Sequence, residues 1–144
     1  MPKMIFLNLP VADVAKSAAF YEAIGAVHDT SFCKGPEAAM LVWSDTISFM
    51  LLDHARFADF APKPIADAHR TNEMLICLSL DSREAVDAIT EAAIAAGGKG
   101  DPSPVDDHGF MYGRSFEDLD GHCFGPMWMD VAAAMAAQAE PAAA

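Results

Sequence analysis

Short apolar runs and stretches of helical periodicity alternate along this chain, and their order occurs twice. Residues 4–9 form an apolar run that predicts a strand. Pro10 has no N–H to donate and predicts the end of that strand's pairing. Asp13 suits an N-cap, and Val14, Ala18, Tyr21 and Ile24 follow it at helical spacing. Gly25 stands where a helix C-terminus favours a left-handed residue. Residues 38–43 and 46–52 predict two more strands around a turn at Ser44-Asp45, and residues 27–32 leave room for a short one before them.

Residues 54–72 break this pattern. They hold Pro62 and Pro64 among mixed polar residues, with one short amphipathic turn at Phe57 and Phe60. A connector this long is uncommon inside a compact unit and predicts a join between two units. The first pattern then restarts. Residues 73–80 predict a strand, and Asp81 or Ser82 caps a helix, with Glu84 three residues beyond Asp81 as in a capping box. Val86, Ile89, Ala93 and Ala96 form its apolar stripe, and Gly97-Gly98 end it. Residues 101–107 predict a loop; residues 110–116 and 123–128 predict strands around a turn at residues 118–121. The reading is one domain over residues 1–130: module 1 (1–53), a connector (54–72) and module 2 (73–130). An alanine-rich tail (131–144), limited by Pro141, follows. The duplication rests on element order rather than on residue identities.

Composition narrows the partners. A chain of 144 residues buries roughly 68–70% of its unfolded surface, enough to fold without disulfides or a structural metal. The net charge is −12, and it is uneven: residues 1–72 hold 6 Lys/Arg against 8 Asp/Glu, residues 73–144 hold 3 against 13. Nucleic acid is not an expected partner, because binding it needs a basic face to displace counterions. An anionic membrane surface is disfavoured for the same reason. No apolar run of about 18 residues is present to span a bilayer, and the N-terminal Met-Pro-Lys-Met lacks a signal-peptide pattern. Cys33, Cys77 and Cys123 are widely spaced without a CxxC, which points to a reducing cytoplasm rather than a disulfide framework or zinc site. GxSxG, Walker-type and GxGxxG motifs are absent.

The segment Leu9-Pro-Val-Ala-Asp-Val-Ala-Lys-Ser-Ala-Ala-Phe-Tyr-Glu-Ala-Ile-Gly25 resembles the opening strand–helix signature of the vicinal oxygen chelate superfamily, which contains glyoxalase I, bleomycin-resistance proteins and extradiol dioxygenases. Phe116-Glu-Asp-Leu-Asp-Gly-His122 resembles its late DPDG turn, with Leu119 in place of the usual Pro. The resemblance covers residues 4–130 and implies an α+β fold: two βαβββ modules forming a cup-shaped mixed sheet, helices outside, ligands inside, the chain paired as a homodimer. Strand alternation then sends Ile5, Leu7 and Leu9 under the helix and Met4, Phe6 and Asn8 into the cup. In the matching strand Met74, Ile76 and Leu78 point outward and Glu73, Leu75, Cys77 and Ser79 inward; in the last strand Cys123, Gly125 and Met127 face in.

Metal-dependent members of the superfamily hold a divalent ion with a His, a His or Gln, and two Glu from both modules. The positions implied for those ligands carry Phe6, Leu75, Met50 and Gly125 here, none of the usual ligand types. No metal and no cofactor are therefore expected. Substitute ligands could come from His54, His108, His122, Glu73 and Glu117; each has a plainer reading as a surface or hydrogen-bonded residue. Asn8 is an amide in an apolar strand that serves either a ligand or a neighbouring backbone group. Cys77 is an inward thiol that reads most simply as a small buried hydrophobe. Tyr112 and Arg114 alternate along one strand face. Arg114 either enters the cup as its strong cation or faces out and pairs with acids such as Glu117. The expected function is binding of a small molecule by Phe6, Asn8, Met50, Glu73, Leu75, Cys77, Tyr112, Arg114 and Gly125, as in the bleomycin-resistance branch. The alternatives are a metal-dependent glyoxalase-like lyase or isomerase with a shifted site, and a structural module whose cup is filled.

Overall fold

Alternation along the first apolar run sends Leu7, Leu9 and Val11 to one side, where a helix covers them. In this computed structural model, which describes residues 2–33 and 35–139, that run is β1 (Ile5–Val11). The first half continues with α1 (Val14–Ala23), β2 (Val27–Asp29), β3 (Ala38–Val42) and β4 (Ile47–Asp53). β1 runs parallel to β4, and β3 and β2 follow antiparallel, in the order β1-β4-β3-β2. The Asp13 side chain accepts a hydrogen bond from the Lys16 N–H and starts α1. The chain leaves that helix through Gly25 at φ +113°, a conformation that glycine adopts without a Cβ penalty.

Next come α2 (His54–Phe60), β5 (Leu75–Ser79), α3 (Arg83–Ala95), β6 (Lys99–Gly100), β7 (Asp106–Asp107), β8 (Met111–Gly113), β9 (Phe116–Glu117) and β10 (Cys123–Met129). β10 is the centre of the second sheet. β5 lies parallel on one side of it, β8 and β9 antiparallel on the other, with β7 and β6 outermost. This is the arrangement of the first half with its two outer strands interrupted. Pro102 and Pro104, which donate no backbone hydrogen bond, stand between β6 and β7. A last helix, α4 (Val131–Ala139), begins where the Asp130 side chain accepts from the Ala133 N–H. Pro141, expected to limit the tail, lies outside the described residues.

The two halves share one core. Leu9, Val11, Leu41, Phe49 and Leu51 of the first sheet join Leu78, Phe116 and Phe124 of the second through Phe20 and Tyr21 of α1. Tyr21 packs at 5.2 Å from the Phe49 ring and 5.8 Å from the Phe124 ring, and Phe116 stacks on Phe124 at 5.1 Å. The Tyr21 hydroxyl, fully buried by this packing, donates a 2.6 Å hydrogen bond to Asp118 Oδ2 across the join. Asp118 is only 4% exposed, and its other oxygen accepts from the Asp120 and His122 N–H groups at 3.0 and 2.8 Å. Two more bonds cross beside it: the Ala12 N–H donates to Asp120 Oδ1 at 2.8 Å, and the His122 ring meets the Pro10 carbonyl at 2.8 Å. Burial raises the Asp118 carboxyl above the ordinary range, against the pull of His122 and these donors, and burial together with Asp118 raises the Tyr21 phenol.

Three expectations need correction. Pro10 does not end β1, which continues to Val11 with Pro10 opposite Leu52. β1 is an edge strand, where a missing N–H breaks no ladder, and the Pro10 carbonyl is used by His122. The connector holds a seven-residue helix rather than one turn, because Asp53 caps it by accepting from the Arg56 N–H. Residues 73 and 74 precede β5 instead of belonging to it. Tyr21→Phe leaves the core area intact but removes one bond from a buried carboxylate. Urea denaturation is expected to show a loss of about 1–3 kcal/mol with an unchanged m-value.

Candidate functional site

Register fixes which side chains face away from α1 and α3. On the first sheet Phe6 lies opposite Ser48, and Asn8, Met50 and Met40 form one row. On the second, Leu75 lies opposite Cys123, Cys77 opposite Gly125, and Met127 opposite both Ser79 and Gly113. Asn8–Met50 and Cys77–Gly125 are thus equivalent pairs in the two halves, with Phe6 and Leu75 each two residues earlier on their strands. α2 packs on β1 and β4, and residues 61–72 continue over the gap toward β5. The turn after β9 holds this segment in place. Gly121, at φ +88°, passes so close to Ala68 and His69 that a Cβ would fall 2.7–2.9 Å from their backbone atoms. Only glycine fits both the conformation and the approach.

Two recesses result. The first, about 340 Å³, lies between β1, the residues leading into β5, and the connector. Phe57, Pro62, Ile65 and Met74 make it apolar, and Asn8, Thr71, Asn72 and Glu73 supply polar groups. The second, about 580 Å³, covers the inner face of the second sheet, with Leu75, Cys77, Cys123, Gly125 and Met127 at its base and His69 and Arg70 at its rim. Both volumes fall in the roughly 300–1,000 Å³ range of small-molecule sites.

The expected site residues separate into three groups. Asn8 and Glu73 meet at the first recess, and Leu75, Cys77 and Gly125 at the second. Phe6, 49% exposed, and half-buried Met50 lie on the inner face of the first sheet outside both recesses. Tyr112 and Arg114 point the other way, toward α3. The Tyr112 hydroxyl donates to Asp87 Oδ1 at 2.6 Å, and the Arg114 guanidinium bonds Asp87, Glu91 and Asp101 at 3.2, 3.0 and 2.7 Å. Arg114 borders the second recess, but its guanidinium is taken up by these three acids rather than offered to the cup. It is paired with acids, though with α3 and the residue after β6 rather than with Glu117. This pairing lowers the Asp101 carboxyl and raises the guanidinium. Ile5 and Met74, expected beneath the helices, are both exposed.

Asn8 resolves toward neither buried partner nor core. It is exposed to the recess, and its amide makes only a 3.3 Å bond to the Phe6 carbonyl two residues back. His108 pairs with Asp106 at 2.7 Å, and Glu117 with Lys99 at 3.7 Å. His54, His69 and His122 line a further recess of about 370 Å³ beside the turn. Among the described residues no three His, Cys, Asp or Glu side chains stand together in a way that would hold a metal ion. The Cys123 thiol is raised by burial and then by Glu117 and Asp118; it bonds Asn72 Oδ1 at 3.5 Å. The connector's contribution was missed in the sequence. Its sequence signal is Pro62 and Pro64 between apolar residues, which by pattern alone mark a break.

The structure is similar to a hypothetical protein from S. aureus at 27% identity and a TM-score of 0.74, over 89% of this chain and 95% of that one. It is also similar to a glyoxalase/bleomycin resistance protein/dioxygenase family enzyme from Burkholderia phytofirmans PsJN (20% identity, TM-score 0.70, 89% and 99% of the chains). A third likeness is to the genomically encoded fosfomycin resistance protein FosX from Listeria monocytogenes (19%, 0.63, 89% and 91%). No protein-family model and no curated protein matches the sequence. With its paired βαβββ halves, the chain has the fold of the vicinal oxygen chelate superfamily. Among the described residues no helix is long and apolar enough to cross a membrane.

Because Asn8 holds no buried partner, Asn8→Leu is expected to leave stability within about 0.5 kcal/mol of the parent in urea denaturation. A loss of roughly 1–3 kcal/mol would instead make it a structural residue.

Proposed function

We propose that the protein binds a small, mostly apolar molecule in its cup, without the divalent ion that metal-dependent proteins of this fold hold there. The observation that carries the reading is the first recess. It is open, walled by Phe57, Pro62, Ile65 and Met74, and bordered by polar groups of Asn8, Thr71 and Asn72, of which Asn8 makes a 3.3 Å bond to the Phe6 carbonyl, Thr71 donates to the Asp67 carbonyl and Asn72 accepts from the Cys123 thiol. Such a site encloses an apolar body and orients it through a few hydrogen bonds. The donor set argues against the ion. Phe6, Leu75 and Gly125 offer no lone pair, and the Met50 thioether is a poor ligand for a hard or borderline cation. These residues do not fit the group, so no chemical step is derived through it. Solved proteins of the fold include ones described as bleomycin or fosfomycin resistance proteins, and that likeness is consistent with sequestering a small molecule.

Thermal-shift screening of uncharged, drug-sized compounds tests this reading, since a ligand at a hundredfold excess over its Kd adds about 2.7 kcal/mol of stability. Hits are expected, and Asn8→Leu should weaken them. A screen without hits would favour a structural module. Elemental analysis after extensive dialysis should find no stoichiometric Ni, Zn, Fe or Mn. About one such ion per chain would point to the glyoxalase-like lyase or isomerase with a shifted site.

The same proposal includes a homodimer. Met4, Ile5, Phe6, Met74 and Leu75 are all exposed at the entry to β1 and β5, both edge strands, and Leu75 is 68% exposed. Exposed apolar groups beside open strand edges are normally covered by a partner. Light scattering at micromolar concentration is expected to give twice the chain mass; a monomer would refute the assembly.

A further inference from the structure

Register places much of the chain's sulfur inside the cup. Met40 lies opposite Met50, Met111 opposite Met129, and Met127, Cys77 and Cys123 occupy the inner face of β5 and β10. With 9 Met and 3 Cys in the sequence, more than half of the sulfur atoms face inward. Cys77, Cys123, Met111 and Met127 line the second recess together. Cys77 pairs with Gly125 and Cys123 with Leu75, so the two thiols are diagonal neighbours on one face, on either side of the side-chain gap at Gly125. A Cβ at position 125 would stand 3.4 Å from Cys77 Sγ, so the Cys77 thiol leans over that gap. Diagonal neighbours on adjacent strands stand about 7–8 Å apart, a separation that two thiolates span through one metal ion between them; the Cys123 thiol, which bonds Asn72 Oδ1 and the Gly121 carbonyl, turns from those partners to do so. Both cysteines are free, and Cys77 is exposed to the recess.

We propose that this inner face is a binding site for a soft, thiol-seeking monovalent cation, Cu(I) being the type case, held between Cys77 and Cys123 with the Met127 thioether beside it. Soft sulfur donors select such ions, which are satisfied by two or three of them. The oxygen and nitrogen donors that a harder ion needs are the ones this cup lacks at Phe6, Met50, Leu75 and Gly125. On binding, two S–H bonds break, two S–Cu bonds form and both protons pass to the solvent. The copper stays Cu(I), so no oxidant or reductant is consumed. The resulting dithiolate complex carries one negative charge, and Arg70 at the rim is placed to offset it. Cys123 also borders the first recess, but the site uses none of that recess's apolar walls, Phe57, Pro62, Ile65 and Met74.

The test is anaerobic titration of the full chain with Cu(I) in competition with bicinchoninate, followed by the chelator's absorbance. The parent is expected to withdraw about one Cu(I) per chain, and Cys77→Ser and Cys123→Ser each to lose at least tenfold in affinity, while Cys33→Ser retains it. Retention of parent affinity by Cys77→Ser, loss in Cys33→Ser, or no withdrawal by the parent would overturn the proposal. Circular dichroism of each copper-free variant checks folding. Should a serine variant not fold, X-ray absorption of the copper-loaded parent decides the matter: a first shell of two or three sulfurs supports the site, and nitrogen or oxygen in that shell refutes it.

Discussion

The hydrogen bond from Tyr21 to the buried Asp118 carboxylate is the constraint on which the rest of this molecule is built. Each half has its own sheet and helix, and the two close a single shared core. Tyr21 inserts its ring between Phe49 and Phe124, which belong to different halves. Burying a hydroxyl there is tolerable only because an acceptor waits for it, and burying the acceptor is tolerable only because three donors converge on it. The geometry of the join is thereby fixed, and with it the angle between the two inner faces.

The same turn that carries Asp118 also shapes the site. Asp120 fastens the start of α1, His122 fastens the end of β1, and Gly121 lies flush against the connector. One tight turn thus holds both halves and the segment that roofs the first recess. The connector is consequently a wall of the first recess and not a spacer. Its prolines restrict the chain around Ile65, and its Thr71 and Asn72, with Glu73 after them, line the recess together with Asn8.

Most of this fold was legible as pattern. Period-two runs, caps at Asp13 and Ser82, and glycine stops at Gly25 and Gly97 locate the helices and most of the strands, because local propensity and burial agree there. What was not legible depends on distant partners. Nothing near residue 114 tells that Asp87, Glu91 and Asp101 will surround it; the face of Arg114 is decided by helix α3, more than twenty residues away in sequence. Pro10 was misread for a similar reason, since its tolerance depends on β1 being an edge. The pairing of Tyr21 with Asp118 spans 97 residues and leaves no local trace beyond the acidic turn itself. Within the candidate site, alternation indicated Asn8, Leu75, Cys77 and Gly125, whereas the walls contributed by the connector follow no period and were invisible.

The distribution of polar groups around the cup follows from what the inner faces carry. A divalent centre requires charged or imidazole donors in the middle of the sheet, and those must be neutralised by the ion. With Phe6, Met50, Leu75 and Gly125 in their place, neutral groups remain: thioethers, thiols, a single amide. Neutral sulfur is cheap to hold in an apolar recess, while an unpaired carboxylate is not. Charged and strongly polar groups stand at the margins: Glu73, Thr71, Asn72, His69 and Arg70 on or beside the connector, and Asp106, Arg114 and Glu117 around the second recess. In the proposed binding role, the polar groups at these margins would orient a bound molecule, and the apolar and sulfur-bearing floor would supply the buried contact area. Differences in selectivity between proteins of this shape would reside in the connector, whose sequence can change without disturbing the core that Tyr21 and Asp118 hold closed.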